Sequence, residues 1–336
     1  MCDVWPDRTV RRDSPILCVT ACFSLKLDAE SFFVCHLLRL CFVLILCLSL
    51  SAKTHAETEN LGTSGFIDSS GTKIHYVTAG QGPLVVMIHG FPDYWYSWRE
   101  QIPTLSQNFK TVAIDQRGYN RSDQPADVSD YQMDKLVSDV IATVDHFSEK
   151  QAILIGHDWG GAVAWSAAMA HPDRISKLVI LNLPHLRGLQ RELANNPKQQ
   201  AASAYARAFQ IPGAERTLSP RMLARWVQDE KAREKYVAAF ERSSLKGMLD
   251  YYRANYPRPP YQDDSEMPPI QCPVLVIFGL QDKALLAPAL NDTWEWIDKD
   301  LTLVTIPTAS HFVQQDEPEF VTGTIDRWLR RPEKLE

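Results

Sequence analysis

The residues of this chain most able to do chemistry begin with an aspartate in a tight turn. Asp158 lies in Gly156-His157-Asp158-Trp159-Gly160, directly after the apolar run 152–155 and before a helix of small residues. A strand-to-helix turn of this kind exposes its central side chain and points the next backbone N–H towards a developing anion. A carboxylate is ionised at neutral pH and suits displacement at a saturated carbon, which gives a covalent alkyl ester. An aspartate that only caps the helix is the structural alternative.

Two later residues could complete a charge-relay system with Asp158. Asp282 and His311 each follow a predicted strand, in the chain order nucleophile, acid, histidine. Histidine is needed for the second half of the reaction, where it would deprotonate the water that attacks the ester, while the acid holds its tautomer. Asp292 lies close enough in sequence to be the other candidate for the acid.

A second turn, His89-Gly90-Phe91-Pro92, directly follows the predicted strand 84–88. Its Phe91 N–H, beside that of Trp159, would form an oxyanion hole. We interpret His89 as structural. The same ordinary structural role is expected for three other histidines, His75, His146 and His171.

A leaving oxygen that departs as an alkoxide needs a proton donor, and two tyrosines on predicted helices could provide one. Tyr205 lies in 203–209 and Tyr252 in 249–253. By spacing alone, either ring could equally be a packing residue. Other aromatic residues could form apolar walls around a substrate or could simply pack, namely Phe91, Trp95, Trp98, Trp159 and Phe312.

Strand-like and helical patterns alternate from Phe66 onward, which indicates a mainly parallel sheet covered by helices on both faces. The predicted strands are 73–78, 84–88, 111–114, 152–155, 178–181, 274–278 and 301–306. Their Val, Ile and Leu content is typical of strands buried on both faces.

The interval between the strands 178–181 and 274–278 shows only helical spacing. The predicted helices are 199–209, 220–227, 232–242 and 245–255, with proline clusters at the borders of the interval. Such an insertion lies over the carboxyl ends of the strands, where open α/β sheets bind ligands. The sequence therefore predicts a core of residues 57–183 and 270–336, and a helical lid of residues 184–269 inserted after the sixth core strand.

The composition argues against a nucleic-acid partner. The chain has 336 residues, a net charge of −6 and an isoelectric point near 5.9, so it carries no basic field for phosphate backbones. Six of its seven cysteines lie in the first 47 residues, which leaves Cys272 alone in the remainder.

The first 56 residues form a separate N-terminal leader. The apolar run 40–50 leads to Thr54-His55-Ala56, a small-residue pattern that a signal peptidase accepts, so we expect export to a periplasm or medium. An uncleaved membrane anchor over 32–52 is the alternative, although the uninterrupted apolar stretch is shorter than the roughly 20 residues needed to span a bilayer. Oligomeric state and the true start site are open.

Over residues 65–331 the chain resembles the epoxide hydrolases of the α/β-hydrolase superfamily. Four motifs carry the resemblance: His89-Gly90-Phe91-Pro92 with Trp95-Tyr96-Ser97-Trp98-Arg99, Asp115-Gln116-Arg117-Gly118-Tyr119, Gly156-His157-Asp158-Trp159-Gly160-Gly161, and Ser310-His311-Phe312-Val313-Gln314-Gln315-Asp316. Asn120 departs from the glycine more usual at its position, and most soluble members lack an export signal.

The resemblance implies the α/β-hydrolase fold and a role for each candidate. Asp158 would be the nucleophile, Asp282 and His311 the charge-relay pair, and Phe91 and Trp159 the oxyanion hole. Tyr205 and Tyr252 match the lid tyrosines that protonate the epoxide oxygen, with Tyr251 adjacent to the second. The implied partners are a small apolar epoxide and water, with no metal and no cofactor.

Three other functions are compatible with the same fold. A haloalkane dehalogenase shares the aspartate, the histidine and Trp159, but usually carries Asn where this chain has Phe91 and needs no tyrosine pair. A fluoroacetate dehalogenase usually has Arg in place of Trp159. A non-catalytic secreted binding protein could keep the fold, but would be expected to have lost at least one catalytic position.

Overall fold

The central element of the fold is an eight-stranded sheet in the order β1-β2-β4-β3-β5-β6-β7-β8. The strands are β1 Thr63–Ser69, β2 Thr72–Ala79, β3 Leu84–Ile88, β4 Lys110–Ile114, β5 Ala152–His157, β6 Ile175–Leu181, β7 Val274–Gly279 and β8 Leu301–Ile306. β2 pairs antiparallel with β1 and β4, and the other neighbours are parallel. The loops after β3, β5, β6, β7 and β8 therefore meet at one edge of the sheet.

The computed structural model describes residues 61–261 and 266–331. The predicted leader of residues 1–56, with its apolar run, lies outside these residues. Within them, no helix combines the length and the apolar character that a membrane crossing requires.

Helices cover both faces of the sheet. The α-helices are α1 Ile102–Leu105, α2 Met133–His146, α3 Trp159–Ala170, α4 Leu186–Asn195, α5 Pro197–Ala202, α6 Ala204–Phe209, α7 Pro220–Leu223, α8 Glu230–Arg242, α9 Leu245–Asn255, α10 Val313–Asp316 and α11 Pro318–Leu329. Short 3₁₀ segments span Trp95–Trp98, Val128–Tyr131, Ala214–Thr217, Ala224–Trp226, Ala287–Leu290 and Thr293–Trp296.

Alternating residues of the central strands divide between two buried cores. Val86 and Leu154 face the core that also contains residues of α2 and α3. Val85 and Ile153 face the opposite core, which α1 and α11 cover. This alternation is what a sheet buried on both faces requires, because successive side chains of a strand point to opposite sides.

All seven predicted strands are present, and the predicted α/β architecture is confirmed. The structure adds β1, which the sequence pattern did not reveal. β1 is an edge strand that buries little more than Ile67 and Ser69, so its residues are mostly polar and lack the apolar run that identified the others.

The predicted helical insertion of residues 184–269 falls between β6 and β7, and α4 to α9 lie within it. α4 was not predicted. The helix predicted over 199–209 is two helices that meet at Ser203, whose φ and ψ of −87° and 9° depart from helical values. The side chain of Gln199 donates to the Ser203 hydroxyl at 2.9 Å, and the Ser203 N–H still donates to the Gln199 carbonyl at 2.9 Å.

Candidate active site

Asp158 occupies the sharp turn between β5 and α3. Its φ of 51° and ψ of −121° lie in a region that is unfavourable for a residue with a Cβ atom, so the surrounding structure holds it there. The turn is possible because Gly160 brings α3 against β3, where any Cβ atom would collide with the carbonyl oxygen of Ile88. The strained backbone presents the carboxylate at the carboxyl edge of the sheet.

The turn after β3 lies directly against this carboxylate. The Phe91 N–H donates to Asp158 Oδ1 at 2.7 Å. Gly90 allows this approach, because a Cβ atom there would collide with the Cβ and carboxylate of Asp158. One carboxylate oxygen is therefore held by a backbone donor in the position predicted for the oxyanion hole, and Oδ2 remains for chemistry.

His89 fixes the conformation of the same turn. Its Nε2 accepts the Gln116 N–H at 3.0 Å, so its Nδ1 carries the hydrogen and donates to the Gly90 carbonyl at 2.8 Å. Burial lowers the pKa of His89 to about 4, against the opposing charge of Asp115, so the ring is neutral. The two hydrogen bonds of His89 thus stabilise the turn, in keeping with the structural role expected of it.

His311 and Asp282 come from the loops after β8 and β7. His311 Nδ1 lies 2.7 Å from Asp282 Oδ2, and its Nε2 lies 3.5 Å from Asp158 Oδ2. Asp282 Oδ1 accepts the backbone N–H groups of Ala284 and Leu285 at 2.8 and 3.0 Å. The carboxylate is an acceptor throughout, so His311 donates from Nδ1 and directs Nε2 at Asp158.

The other candidate acid lies elsewhere. Asp292 Oδ2 accepts a hydrogen bond from Arg191 at 2.8 Å, at the partly exposed start of a 3₁₀ segment. Of the two carboxylates left open by the sequence, only Asp282 contacts His311.

The three charged groups set one another's pKa values. Burial lowers the pKa of His311, but Asp282 and Asp158 outweigh it and raise that pKa to about 10. Burial raises the pKa of Asp158 and of Asp282, and in both cases the interaction with His311 reverses the effect and holds the pKa below its usual value. The free site therefore holds an imidazolium between two carboxylates at neutral pH.

Two tyrosines of the helical insertion face Asp158. Tyr205 lies on α6 and Tyr252 on α9, with their ring centroids 6.0 Å apart. Tyr252 packs edge-to-face on Phe91 and Trp159, at 5.5 and 5.1 Å between centroids. Burial, reinforced by the Asp158 charge, raises the pKa of both phenols well above the usual value. Both phenols are therefore protonated and have a proton to donate.

The neighbouring Tyr251 points away from this site. Its hydroxyl donates to the Arg117 carbonyl at 2.9 Å and its ring is fully buried. The structure thus separates two adjacent tyrosines that the sequence could not distinguish, and only Tyr252 faces the Asp158 carboxylate.

A cavity of about 340 Å³ opens beside Asp158. Asp158, Trp159, Tyr205 and Tyr252 line it, together with mainly apolar residues such as Leu183, Leu186, Leu189, Met133, Met267 and Leu285. The lining brings an anion, two phenols and an apolar volume together in one space.

The other residues proposed as substrate walls are not among the residues that line the cavity. The ring of Phe91 packs edge-to-face on the rings of Tyr252 and Phe209. Trp95 packs on Tyr94, and Phe312 stacks on Trp226. Of these proposed wall residues, Trp159 lines the cavity, and a substrate-binding role for Phe91, Trp95 and Phe312 stays a prediction.

Two positioning residues escaped the sequence analysis. Asn182, directly after β6, accepts the Gly279 N–H at 2.9 Å and donates to Asp282 Oδ2 at 2.9 Å. His157 donates from Nε2 to the His311 carbonyl at 2.8 Å, and burial lowers its pKa to about 4. A polar residue at the carboxyl end of a buried strand was the available signal for both.

Comparisons with known proteins show the family of this chain. A family model of the α/β-hydrolase fold matches residues 83–318. Epoxide hydrolase 4 of Mus musculus is 31% identical over 294 residues, covering 81% of this chain and 80% of the mouse protein. Epoxide hydrolase 1 of Caenorhabditis elegans is 32% identical over 306 residues, covering 84% of this chain and 75% of its own length.

The chain is also similar in structure to a solved epoxide hydrolase. The crystal structure of Bacillus megaterium epoxide hydrolase in complex with an inhibitor aligns with a TM-score of 0.76 at 29% identity. The alignment covers 80% of this chain and all of the bacterial one, 100%.

Proposed function

The chain belongs to the epoxide hydrolases of the α/β-hydrolase family, and from that membership we propose that it opens an epoxide to a vicinal diol through a covalent ester on Asp158. One observation carries the proposal. The Asp158 carboxylate and the protonated phenols of Tyr205 and Tyr252 line one mainly apolar cavity, and the His311 imidazole contacts the same carboxylate. A carboxylate attacks the ring carbon while a phenol protonates the ring oxygen.

In the first half-reaction, Asp158 Oδ2 attacks a ring carbon and the carbon–oxygen bond of the epoxide breaks. Tyr205 or Tyr252 donates its proton to the departing oxygen, which leaves an alcohol, a phenolate and an alkyl ester. Asp158 Oδ1, already hydrogen-bonded to the Phe91 N–H, becomes the ester carbonyl oxygen. The oxyanion hole is therefore in place for the next step.

Formation of the ester also changes the protonation of His311. The negative charge of Asp158 and its hydrogen bond are two of the interactions that raise the pKa of His311, and both disappear when the carboxylate becomes an ester. The pKa of His311 falls, and its proton restores the phenolate to a phenol. Nucleophilic attack thus converts His311 from an acid into the base that the second step needs.

In the second half-reaction, neutral His311 takes a proton from water, and the hydroxide attacks the ester carbonyl carbon. Asp282 stabilises the imidazolium that forms, and the Phe91 N–H stabilises the oxyanion, with the Trp159 N–H proposed as the second donor. Collapse of the tetrahedral intermediate breaks the bond between the carbonyl carbon and the alkyl oxygen, and the proton of the newly added hydroxyl passes to that oxygen. The diol leaves, and the carboxylate and the imidazolium of the free enzyme remain.

The cavity supports a small apolar epoxide as substrate. Its volume of about 340 Å³ lies at the lower end of the range for small-molecule sites, and most of the residues around it are apolar. The helical insertion is proposed to act as the lid of this cavity, because it contributes both phenols and much of the apolar lining.

Halide release is the second reaction that an aspartate nucleophile permits. The two phenols argue against it, because a halide needs no proton, whereas an alkoxide does. Release of diol from styrene oxide and of bromide from 1-bromobutane, measured side by side, separates the two reactions. Bromide release without diol would overturn the proposal, and inactivity towards a broad panel of both classes would favour a binding protein.

The covalent step is tested by trapping the ester. His311→Gln is incubated with styrene oxide, and the intact mass is measured. The ester cannot be hydrolysed without the base, so we expect an added mass equal to one substrate molecule, on the peptide containing Asp158. His146→Gln, which changes an exposed histidine at the end of α2 that does not line the cavity, is the matched control and should not accumulate the adduct.

Two results would contradict a covalent ester on Asp158. An adduct mapped to any residue other than Asp158 would assign a different nucleophile. An adduct that persists in the double variant Asp158→Asn/His311→Gln would show that the label is non-specific.

We also propose that residues 1–56 direct export of the chain and are then removed. The apolar run 40–50 and the small-residue pattern Thr54-His55-Ala56 support this. Amino-terminal sequencing of protein secreted by a host with a general export pathway should begin at Glu57, and Leu44→Arg should block export. Membrane-bound protein that keeps the first 56 residues would instead indicate an anchor.

A further inference from the structure

A second chain of serine, histidine and carboxylate lies on the antiparallel side of the sheet, apart from the cavity lining. Ser64 Oγ on β1 is 2.7 Å from His75 Nε2 on β2. His75 Nδ1 is 2.6 Å from Asp115 Oδ2, which directly follows β4. We propose that Ser64 is a second nucleophile of this protein, which His75 and Asp115 activate towards acyl and phosphoryl electrophiles.

Strand register brings the serine and the histidine together. Phe66 pairs directly with His75 between β1 and β2, so Ser64, two residues earlier, projects from the same face as Phe66 and lies diagonally beside the imidazole. Neither Ser64 nor His75 stood out in the sequence, since their meeting depends on an edge strand that the sequence pattern did not reveal.

The hydrogen bonds fix the direction of proton transfer. Asp115 accepts the Trp95 N–H at 3.0 Å and the Asn120 amide at 2.7 Å, so its carboxylate is an acceptor. His75 then donates from Nδ1 to Asp115. The Arg121 guanidinium, 3.3 Å from Nε2, disfavours a second positive charge on the ring, so Nε2 accepts the Ser64 hydroxyl proton. This is the arrangement by which a neutral imidazole activates a serine.

The proposed nucleophile is exposed to solvent, and the two groups that would activate it are buried. His75 is 1% exposed and Asp115 is fully buried, whereas Ser64 is exposed and open to reagents. Burial of the imidazole and carboxylate keeps their geometry fixed, because neither has room to turn away.

A cation and an aromatic ring flank the Ser64 hydroxyl. Arg121 Nη1 donates to Ser64 Oγ at 3.0 Å and lies 3.3 Å from His75 Nε2. Its guanidinium also lies over the ring of Phe66, 5.3 Å from the centroid, and that ring is 44% exposed. Arg121 would stabilise negative charge that develops at the attacked centre, and Phe66 offers an apolar surface to the organic part of the reagent.

The reaction is a simple transfer. With diisopropyl fluorophosphate, an oxygen–phosphorus bond forms at Ser64 Oγ and the phosphorus–fluorine bond breaks. The hydroxyl proton passes to His75 Nε2 and from there to water, and fluoride leaves. An activated aryl ester would acylate the same oxygen and release a phenol.

The test is covalent labelling of the full chain. Protein is incubated with diisopropyl fluorophosphate, and the adduct is located by peptide mass spectrometry. We expect one diisopropylphosphoryl group on Ser64, lost in Ser64→Ala and kept in Ser138→Ala. Ser138 is the matched control, since it is also exposed but its hydroxyl donates only to a backbone carbonyl, that of Asp134. Epoxide hydrolysis should be unchanged in Ser64→Ala.

The role of the imidazole is tested by rate. General-base assistance contributes roughly 100-fold or more, so His75→Gln should slow the labelling of Ser64 by about that factor. Equal rates for Ser64 in wild type and in folded His75→Gln would overturn the proposal. So would absence of label on Ser64, or label shared equally with Ser138. If His75→Gln does not fold, a wild-type rate ratio of Ser64 to Ser138 below about 10 rejects it.

Discussion

The indole of Trp226 lies flat against the ring of Phe312, with 3.5 Å between the ring centroids and parallel planes. Trp226 belongs to the helical insertion, and Phe312 directly follows His311. The insertion is thus packed onto the loop that carries the proposed base, so packing in one element controls the position of the other.

Removal of this stacked pair should reduce turnover. In Trp226→Ala the His311 loop loses its support, and we expect kcat for epoxide opening to fall by roughly 10-fold, since small displacements of reacting groups have effects of this size. Trp294→Ala, which removes an indole that is 60% exposed, is the control. Identical kinetics for the two variants would show that the stacking does not position His311.

Gly90→Ala should strongly reduce activity while preserving the fold. A Cβ atom at this position would collide with the Asp158 carboxylate, so the turn or the nucleophile must move. We expect kcat/KM to fall by roughly 100-fold or more. Gly323→Ala, in α11 with only a flexible arginine side chain nearby, is the control, and circular dichroism monitors folding. Full activity in Gly90→Ala would show that this close approach is dispensable.

The three tyrosines give a sharper comparison. Tyr205→Phe and Tyr252→Phe should each lower kcat by roughly 10- to 100-fold, and the double variant should be almost inactive, because each phenol can donate a proton to the leaving oxygen. Tyr251→Phe is the matched control: it removes only the hydrogen bond to Arg117, so it should lower the melting temperature and leave kcat nearly unchanged. Loss of activity in Tyr251→Phe alone would reverse the assignment.

The pKa of His311 gives a pH-dependent contribution to stability. Its folded-state pKa of about 10 exceeds the usual 6.5, so folding favours the protonated ring. This stabilisation is fully present below pH 6.5 and is lost as the pH rises through about 10. The difference in melting temperature between wild type and His311→Gln should therefore shrink as the pH passes from 6.5 to about 10. A difference that stays constant over this interval would rule out the ion pairs.

The carboxyl of Asp93 is buried directly after the turn His89-Gly90-Phe91-Pro92, and its pKa lies above the usual value for an aspartate. Asp93 accepts hydrogen bonds from Ser97 at 2.6 Å, and from Tyr236 of α8 and the Tyr94 N–H, both at 2.8 Å. Burial raises its pKa to about 7, and the three hydrogen bonds and the charge of Arg99 oppose that rise only in part.

The sign of the resulting pH dependence follows from this shift. Because the folded-state pKa is raised above 3.8, the contribution is fully present below pH 3.8 and is lost as the pH rises through about 7. Wild type should therefore lose stability relative to Asp93→Asn over that interval, measured by urea unfolding at a series of pH values. Parallel pH profiles for the two proteins would show that folding does not raise the pKa of Asp93.

Much of the fold could be predicted because its information is local. The central strands are continuous apolar runs and the Asp158 turn has glycines on both sides, so short stretches of sequence identified them. β1 was missed for the corresponding reason, since an edge strand with few buried residues carries a weak pattern. The break at Ser203 was missed because residues 198–209 contain no glycine or proline to mark it.

The sequence by itself determined the proposed type of chemistry, because an aspartate in the turn after β5 and a histidine after β8 predict displacement followed by hydrolysis. Only the tertiary structure decided which residues meet. It brought Asp282 rather than Asp292 to His311, and turned Tyr252 towards the cavity and Tyr251 away from it. The physical reason is that these choices depend on contacts between loops and helices far apart in the chain, set by packing that no local pattern records.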